Sequence, residues 1–577
     1  MLRFDPTRAL ALLLLASLVG CASAIRRFPD KDPDWVDEGD FRPFSPQPEE
    51  YYSGLLWDGA DQMAFRPLSQ AFRADIAEEA LGVNAFDEAP ASAWYTPRLS
   101  VRDLTTDEIV RGPCYDAPPL QPPFIVVDVK PNGATPGFFV EDTGGRKYLM
   151  KFDRDRQPER SSTGDVVSSR IYWATGFSTP CNRVVNVTLE SFQLDPEGTV
   201  EIDGEDVPLT WELFAGSLEA AGSRADGSYR ALTSLFLPGR PIGPFRYEGR
   251  RQDDPNDAIP HQERRDLRGT RVIAAWTHHF DTREQNSLNM WISVGDEGHG
   301  YVRHNYVDFG DTFGSLWARD GISRRLGPSG YFNLYHVAGD FVTLGLMPRA
   351  YYRSQLGPAG PVWGYFDIET FEPDDWKAGY PNPAHLRATE RDKAWMARQV
   401  ALIDPDTDVP ALVASAQMDD GFAAQELVRI LQGRRTKILE RYLTRLSPLT
   451  WPTLRDGPEG PEVCLKDLAV TAGLIAGEDR PYWSRAWELR GARRLRTLPT
   501  GRMTRVLPDR VCVGLPEAPE ATTDDPAYLI VDVAGLFGPE DRRARPLRIH
   551  LISRGGGRAR VVGLERPYDL DAPDRWD

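Results

Sequence analysis

"HHFDTREQN" (residues 278–286) and "HNYVDFGDTFG" (residues 304–314) decide how the rest of this chain is read. The first holds His279-Phe280-Asp281 and, after four further residues, Asn286. The second holds Asp308-Phe309-Gly310. Carboxylate and carboxamide oxygens are ligands for hard cations, so the two stretches together have the outline of a metal site. Either motif is short enough to arise by chance, and its weight depends on what surrounds it.

Upstream, the pattern from residue 124 is one of strands. "FIVVDVK" is a β-branched run, "PNGATPG" a loop with Gly133 and Gly137, "FFVED" a second strand, and "TGG" a tight turn. "KYLMKF" is a third strand and carries Lys151 near its end. In "SSTGDVVSSRIYWATGF" the residues Val166, Val167, Ile171 and Ala174 recur at helical spacing, and Gly176 closes the helix. "NRVVNVTLE" and "VPLTWELFAG" read as strands again. Residues 219–264 read as loop. Beyond 265 the character turns helical, starting with the buried helix "LRGTRVIAAWTHHF" and ending with "GFAAQELVRILQGRRTKILERYLTRL", stopped by Pro448. A β-rich tail follows, with a hairpin turning at 555–557.

This order resembles the protein-kinase-like fold, in its atypical branches such as the spore coat protein H kinases and the HipA-like kinases. The resemblance covers residues 124–447. It implies an α+β, two-lobed architecture, with a β-rich N-lobe at 124–218, a loop-rich insert at 219–264 and a helical C-lobe at 265–448. An irregular N-terminal extension (51–123, with one helix near 68–81) and a β-rich region (449–577) flank it. By the resemblance Lys151 meets the α- and β-phosphates of ATP. Its partner on the following helix is Asp165, where a glutamate is usual. Asp is one methylene shorter, so a longer or water-bridged pair is expected; the alternative role for Asp165 is a charge at the helix N-terminus. "KPNGATPG" stands where a phosphate-cradling loop belongs, with Gly133 and Gly137 allowing close approach, although it is not GxGxxG and Pro136 removes one N–H donor. Asp281 accepts or orients the acceptor proton. Asn286 and Asp308 hold Mg²⁺ or Mn²⁺ against the phosphates. Phe280 replaces the usual arginine. Shared phosphate and metal binding requires the Lys151 amine and the Asp308 carboxylate within about 10 Å. The competing reading is a scaffold or binding protein that kept the fold and lost catalysis. A hydrolase finds no second carboxylate motif and no GxSxG.

The N-terminus sets the compartment. Arg3 and Arg8 precede "ALALLLLASLV", too short to span a bilayer with ease and suited to a secretory signal. Leu18-Val19-Gly20-Cys21 resembles the lipobox of bacterial lipoproteins, which implies a signal peptide at 1–21, a lipid on Cys21 and, with Ala22 next, the outer membrane of the cell envelope. Residues 22–50, rich in Asp and Pro, read as a tether. Of three possible connectivities for the remaining cysteines, spacing favours Cys114 with Cys181 and Cys464 with Cys512. A net charge of −17 argues against nucleic acid as a partner and leaves a nucleotide, an unidentified acceptor and a membrane reached through the lipid alone. The pairs Arg264-Arg265 and Arg434-Arg435 read as solvated faces, or for Arg264, Arg265 and Arg268 as ion pairs. His278, His279 and His304 read as packing or hydrogen-bonding residues.

Overall fold

The computed structural model describes residues 25–567 apart from 72–77, 130–135, 203–204, 220, 296–297, 318–319, 331–332, 492–493, 519, 538–544 and 556–557. Residues 1–24, which hold the expected signal peptide and Cys21, and Gly133 lie outside the described residues.

Strands β1 (Phe124–Val129), β2 (Gly137–Glu141) and β3 (Lys147–Phe152) form an antiparallel meander. With β4 (Asn182–Val187), β5 (Phe192–Leu194) and β6 (Tyr229–Leu235) they make one six-stranded mixed sheet in the order β4-β6-β3-β2-β1-β5. Side chains alternate across a strand. Tyr148, Met150 and Phe152 therefore enter one core with Phe124, Phe138 and Phe192, while Lys151 faces the opposite side. That side carries helix α1 (Arg160–Ala174).

Three local expectations change. β6 lies inside the segment expected to be loop, paired between β3 and β4; Gly227 and the "PG" at 238–239 bracket it and hide a strand of only seven residues. "VPLTWELFAG" is not a strand throughout. Glu205–Pro208 closes a small hairpin, and Trp211–Ser217 is a helix whose first turn is capped by the Thr210 hydroxyl accepting the Leu213 N–H at 3.3 Å. The cap outweighs the β-preference of Trp and Phe. In the N-terminal extension a helix runs from Leu55 to Ala71 with a π-turn at Asp61–Phe65; of the helix expected near 68–81, residues 72–77 lie outside the described residues and 78–81 are not helical.

Helix α2 (Arg265–Thr277) leads into the first quoted stretch. Between that stretch and the second, a hairpin not anticipated from sequence pairs β7 (Ser287–Ser293) with β8 (Gly300–Tyr306). Further on come α3 (Leu334–Thr343), α4 (Glu390–Val400) and α5 (Gly421–Ile438). One apolar core joins α1, α2, α4 and α5, and includes Val167, Ile171, Ile273, Trp276, Trp395, Leu427 and Leu431 together with Leu232 of β6. α1 thus belongs to the helical core as much as to the sheet.

Arg434 and Arg435 are not on a solvated face. Both are buried on α5. The Arg434 guanidinium donates to the Ala275 and Trp276 carbonyls (2.6 and 3.1 Å) at the end of α2, and lies 3.6 Å over Phe371. Arg435 donates to the Val400 and Ala401 carbonyls (3.3 and 2.9 Å) at the end of α4. Each arginine satisfies carbonyls that a helix terminus leaves without partners. Arg264, Arg265 and Arg268 are buried in ion pairs with Asp40, Asp87, Asp266, Asp392 and Glu263.

The C-terminal strands form a four-stranded and a five-stranded antiparallel sheet around a separate core containing Val463, Val511, Leu529, Val531 and Ile549. Both disulfides have the expected pairing, Cys114–Cys181 and Cys464–Cys512. The region packs on the N-terminal extension: Arg566 pairs with Asp87 at 2.8 Å and Lys466 with Asp103 at 2.7 Å. Residues 25–50 are no free tether, because Phe28 is buried against Trp487 and Tyr528, Val36 bridges Ala91 and Phe44 bridges Gly300. No described helix is long and apolar enough to cross a membrane.

Candidate active site

Lys151 sits on β3 directly across from Gly137 of β2 and Leu232 of β6. Its Nζ lies 2.7 Å from Asp165 Oδ2 and 2.9 Å from Asp308 Oδ1. The Lys151–Asp165 pair is therefore direct, not lengthened or water-bridged. The shorter aspartate reaches because α1 comes close to the sheet. Gly164 lets α1 close on the Asp308-Phe309-Gly310 turn as well: a Cβ there would lie 2.6 Å from Thr312 Oγ1 and 2.9 Å from the Phe309 carbonyl. Asp165 is the sixth residue of α1, beyond the first turn, so it is not an N-terminal helix charge. Its other oxygen accepts the Phe309 N–H at 2.8 Å. One buried carboxylate thus ties the lysine strand, the helix and the Asp308-Phe309-Gly310 turn together. Burial pushes the Asp165 carboxyl up, against the pull of the Lys151 ammonium. The two aspartates overcome the desolvation of Lys151 and hold its ammonium above the ordinary value.

Asp308 adopts φ +57°, a left-handed conformation that Asp tolerates better than most residues. This aims its side chain, about half exposed, at Lys151 and the opening. Gly310 has no room for a side chain. Its Cβ would lie 2.6 Å from Ser161 Oγ and 3.2 Å from Asp165 Oδ2. Arg160 donates to the Gly310 and Thr312 carbonyls, and Phe309 is fully buried against Tyr172 and His279.

α2 ends with His278 in the left-handed conformation (φ +53°), which turns the chain into the site. His279 Nδ1 lies 3.0 Å from the Tyr172 hydroxyl, and its ring also meets the Asp308 backbone. Burial holds this imidazole down to about 4, so it is neutral near pH 7. His304 bonds Asn289 at 2.7 Å and stacks on Trp94. Phe280 is fully buried, near His278 and Trp317. Asn286 Nδ2 donates to the backbone carbonyl (2.7 Å) and Oδ2 (3.0 Å) of Asp281. Arg283 Nε stands 3.7 Å from the other Asp281 oxygen. Asp281 is pushed up to about 7, first by burial, then by the Asp311 carboxylate and, less, by Asp308.

Asp311 and Asp308 both add to the rise of Asp281, and carboxylate and carboxamide oxygens are the ligand type a hard divalent cation takes, but the three carboxylates do not bring one oxygen each within 4.8 Å of one another. Positive charge there would relieve the repulsion that raises Asp281. Asp308, beside Lys151, and Asn286, bonded to Asp281, are the residues here that could hold such a cation. Of the loop glycines, Gly137 opens β2 opposite Lys151, whereas Gly133 is outside the description.

Several residues shape the site without any sequence signal. Gln157, between β3 and α1, donates to the Gly314, Pro361 and Val362 carbonyls (3.1, 2.8 and 3.0 Å) and accepts the Leu316 N–H at 2.7 Å. It pins the segment after Gly310. Glu159 accepts the backbone N–H groups of Asp419 and Asp420 at the start of α5. Arg160 and Arg283 carry no sequence signal either, whereas Asp311, an acid three residues after Asp308, is marked by that spacing alone.

No protein-family model matches the chain, and no curated protein matches it. Two solved structures align with it. The Golgi casein kinase with Mn/ADP bound aligns at 9% identity over 76% of this chain and 89% of that one, with a TM-score of 0.28. Another structure of the Golgi casein kinase aligns at 10% identity over 67% and 87%, with a TM-score of 0.31. Scores this low lend neither alignment any weight as an argument.

Proposed function

We propose that the protein is an exported, lipid-anchored phosphotransferase that uses ATP and Mg²⁺ or Mn²⁺ on a protein or small-molecule acceptor. The observation that carries the reading is the Lys151 ammonium between Asp165 (2.7 Å) and Asp308 (2.9 Å), with Asp165 also bonded to the Phe309 N–H. Phosphoryl transfer asks for positioned charge more than for covalent chemistry by the protein. Lys151 faces the phosphates from the sheet. Asp308 and Asn286 hold the divalent cation, which offsets phosphate charge when bound. Asp281, held by Asn286 and poised near 7, takes up or orients the acceptor hydroxyl proton. Arg434 supports the loop from behind by closing the end of α2. Export is supported by the apolar N-terminal run ending at Cys21 and by two disulfides, which persist in oxidising compartments.

The test is the unfolding midpoint of the chain from Ala22 onward, with and without ATP and Mg²⁺ or Mn²⁺. A ligand at a hundredfold excess over Kd stabilises by about 2.7 kcal/mol. A metal-dependent rise, lost in Asp308→Ala, supports the reading. No rise with any nucleotide turns it to a catalytically silent scaffold of the cell envelope.

A further inference from the structure

A large exposed apolar surface lies on α3 and the turn after it. Tyr335, Phe341, Val342, Leu344 and Leu346 are each at least 80% exposed, and Met347 is more than half exposed. The element is well formed. The Asn333 side chain accepts the Tyr335 and His336 N–H groups at its start. At its end Leu344 and Gly345 turn left-handed (φ +52° and +74°), and the Gly345 N–H reaches the Asp340 carbonyl at 2.8 Å. Capped at both ends, the helix nonetheless displays its large apolar side chains to water.

The charge around it is the reverse of the chain's. The protein carries −17 overall, yet residues 321–353 contain four arginines, Arg324, Arg325, Arg349 and Arg353, against one acid, Asp340. Arg349 already pairs with that acid, Arg324 donates to the Ser354 carbonyl at 2.7 Å and lies over Tyr365, and Arg353 is the exposed one of the four. A protein-docking helix offers a narrow apolar stripe for a shaped groove. Here, successive residues turn by about 100°, so Tyr335 and Phe341 point to different sides of α3, and Leu344, Leu346 and Met347 extend the apolar surface past its end. A bilayer accepts such a tip without shape complementarity, anionic headgroups suit the local excess of positive charge and the exposed Arg353, and the exposed Tyr352 suits the interface.

We propose that α3 and the turn through Met347 insert into the headgroup boundary of an anionic lipid surface. The contact stands on these residues and not on lipidation of Cys21. With that lipid it would supply the second of two membrane signals, one acyl chain alone giving marginal binding. It would also hold the segment after Asp308-Phe309-Gly310 at the bilayer, which favours acceptors attached to the membrane.

The test uses the chain from Ala22 onward, which lacks Cys21 and retains every described residue. It is sedimented with vesicles of phosphatidylethanolamine containing phosphatidylglycerol, and with vesicles of phosphatidylcholine. The expected result is binding to the anionic vesicles that is about tenfold weaker on phosphatidylcholine, and about tenfold weaker again for Phe341→Ser with Leu346→Ser. Both side chains are exposed, so the unfolding midpoint of the double variant stays unchanged. A Leu344→Cys variant carrying an environment-sensitive fluorophore should brighten on the anionic vesicles only. Equal binding by the double variant, absence of binding to either vesicle, or a vesicle-free dimer that the double variant dissolves would each overturn the proposal. The dimer would assign the surface to a second copy of the chain.

Discussion

Asp281→Asn should make the protein more stable at neutral and alkaline pH and, on the function proposed above, remove phosphotransfer. The carboxyl has an ordinary value of 3.8 and is pushed to about 7 in the fold. Between those values the folded chain holds more protons than the unfolded one. This group's contribution is therefore most favourable below about pH 4 and is lost as pH rises through 7. At about 1.4 kcal/mol per pH unit, the loss is on the order of 4 kcal/mol above pH 7. Asparagine cannot ionise, and its Oδ1 can still accept from Asn286 Nδ2. What it gives up is the loose 3.7 Å pair with Arg283. That attraction is already contained in the value of about 7. The expected net gain near pH 8 is about 4 kcal/mol, a midpoint rise of several degrees, vanishing near pH 4. The assay is thermal unfolding followed by circular dichroism across that range at low ionic strength. Asp311→Asn, which removes the strongest like charge, should move the pH window downward. Parallel pH profiles for wild type and Asp281→Asn would refute the reasoning, because Asp281 would then be ionised in the fold as it is in the unfolded chain.

The other predictions concern the surrounding structure. Lys151→Ala strands the buried Asp165 carboxylate without its ammonium and should cost about 3–5 kcal/mol in chemical denaturation, with Lys151→Arg milder. Gly310→Ala places a methyl 2.6 Å from Ser161 Oγ; it should cost about 1–3 kcal/mol and abolish any nucleotide-dependent midpoint shift, and Ser161→Gly should partly restore both. Replacing Cys464 and Cys512 by Ser opens a loop spanning 48 residues and should lower the stability of the C-terminal sheets by about 4 kcal/mol, read as an earlier loss of their β signal on heating.

Local patterns were the legible part of this molecule. Period-two runs mark β1 to β3, and helical spacing marks α1, α2, α4 and α5. The residues the structure gathers around Lys151 sit in short motifs, because a turn or loop must carry its chemistry within a few positions. Where a local cue was weak or outweighed, the reading failed. β6 is a strand because β3 and β4 leave a place between them, which its own seven residues do not announce. Trp211–Ser217 became a helix because Thr210 caps it. Residues 25–50 look like solvent-exposed chain until Phe28 meets Trp487.

Composition, the N-terminal run, the cysteine spacing and the motif order could all be read from the chain itself, since each depends on neighbours along it. Which charges are buried could not. Arg434 and Arg435 resemble a solvated pair in sequence, and the carbonyls they cap lie 34 to 159 residues away. The Gln157 partners lie more than 150 positions away, and those of Asp165 and Lys151 meet only where α1 is pressed against the sheet. A polar side chain carries no mark of its desolvation. Tertiary packing decides which groups lose water and which partner replaces it, and that choice produced the Lys151 cluster, the raised Asp281 and the uncovered apolar tip of α3.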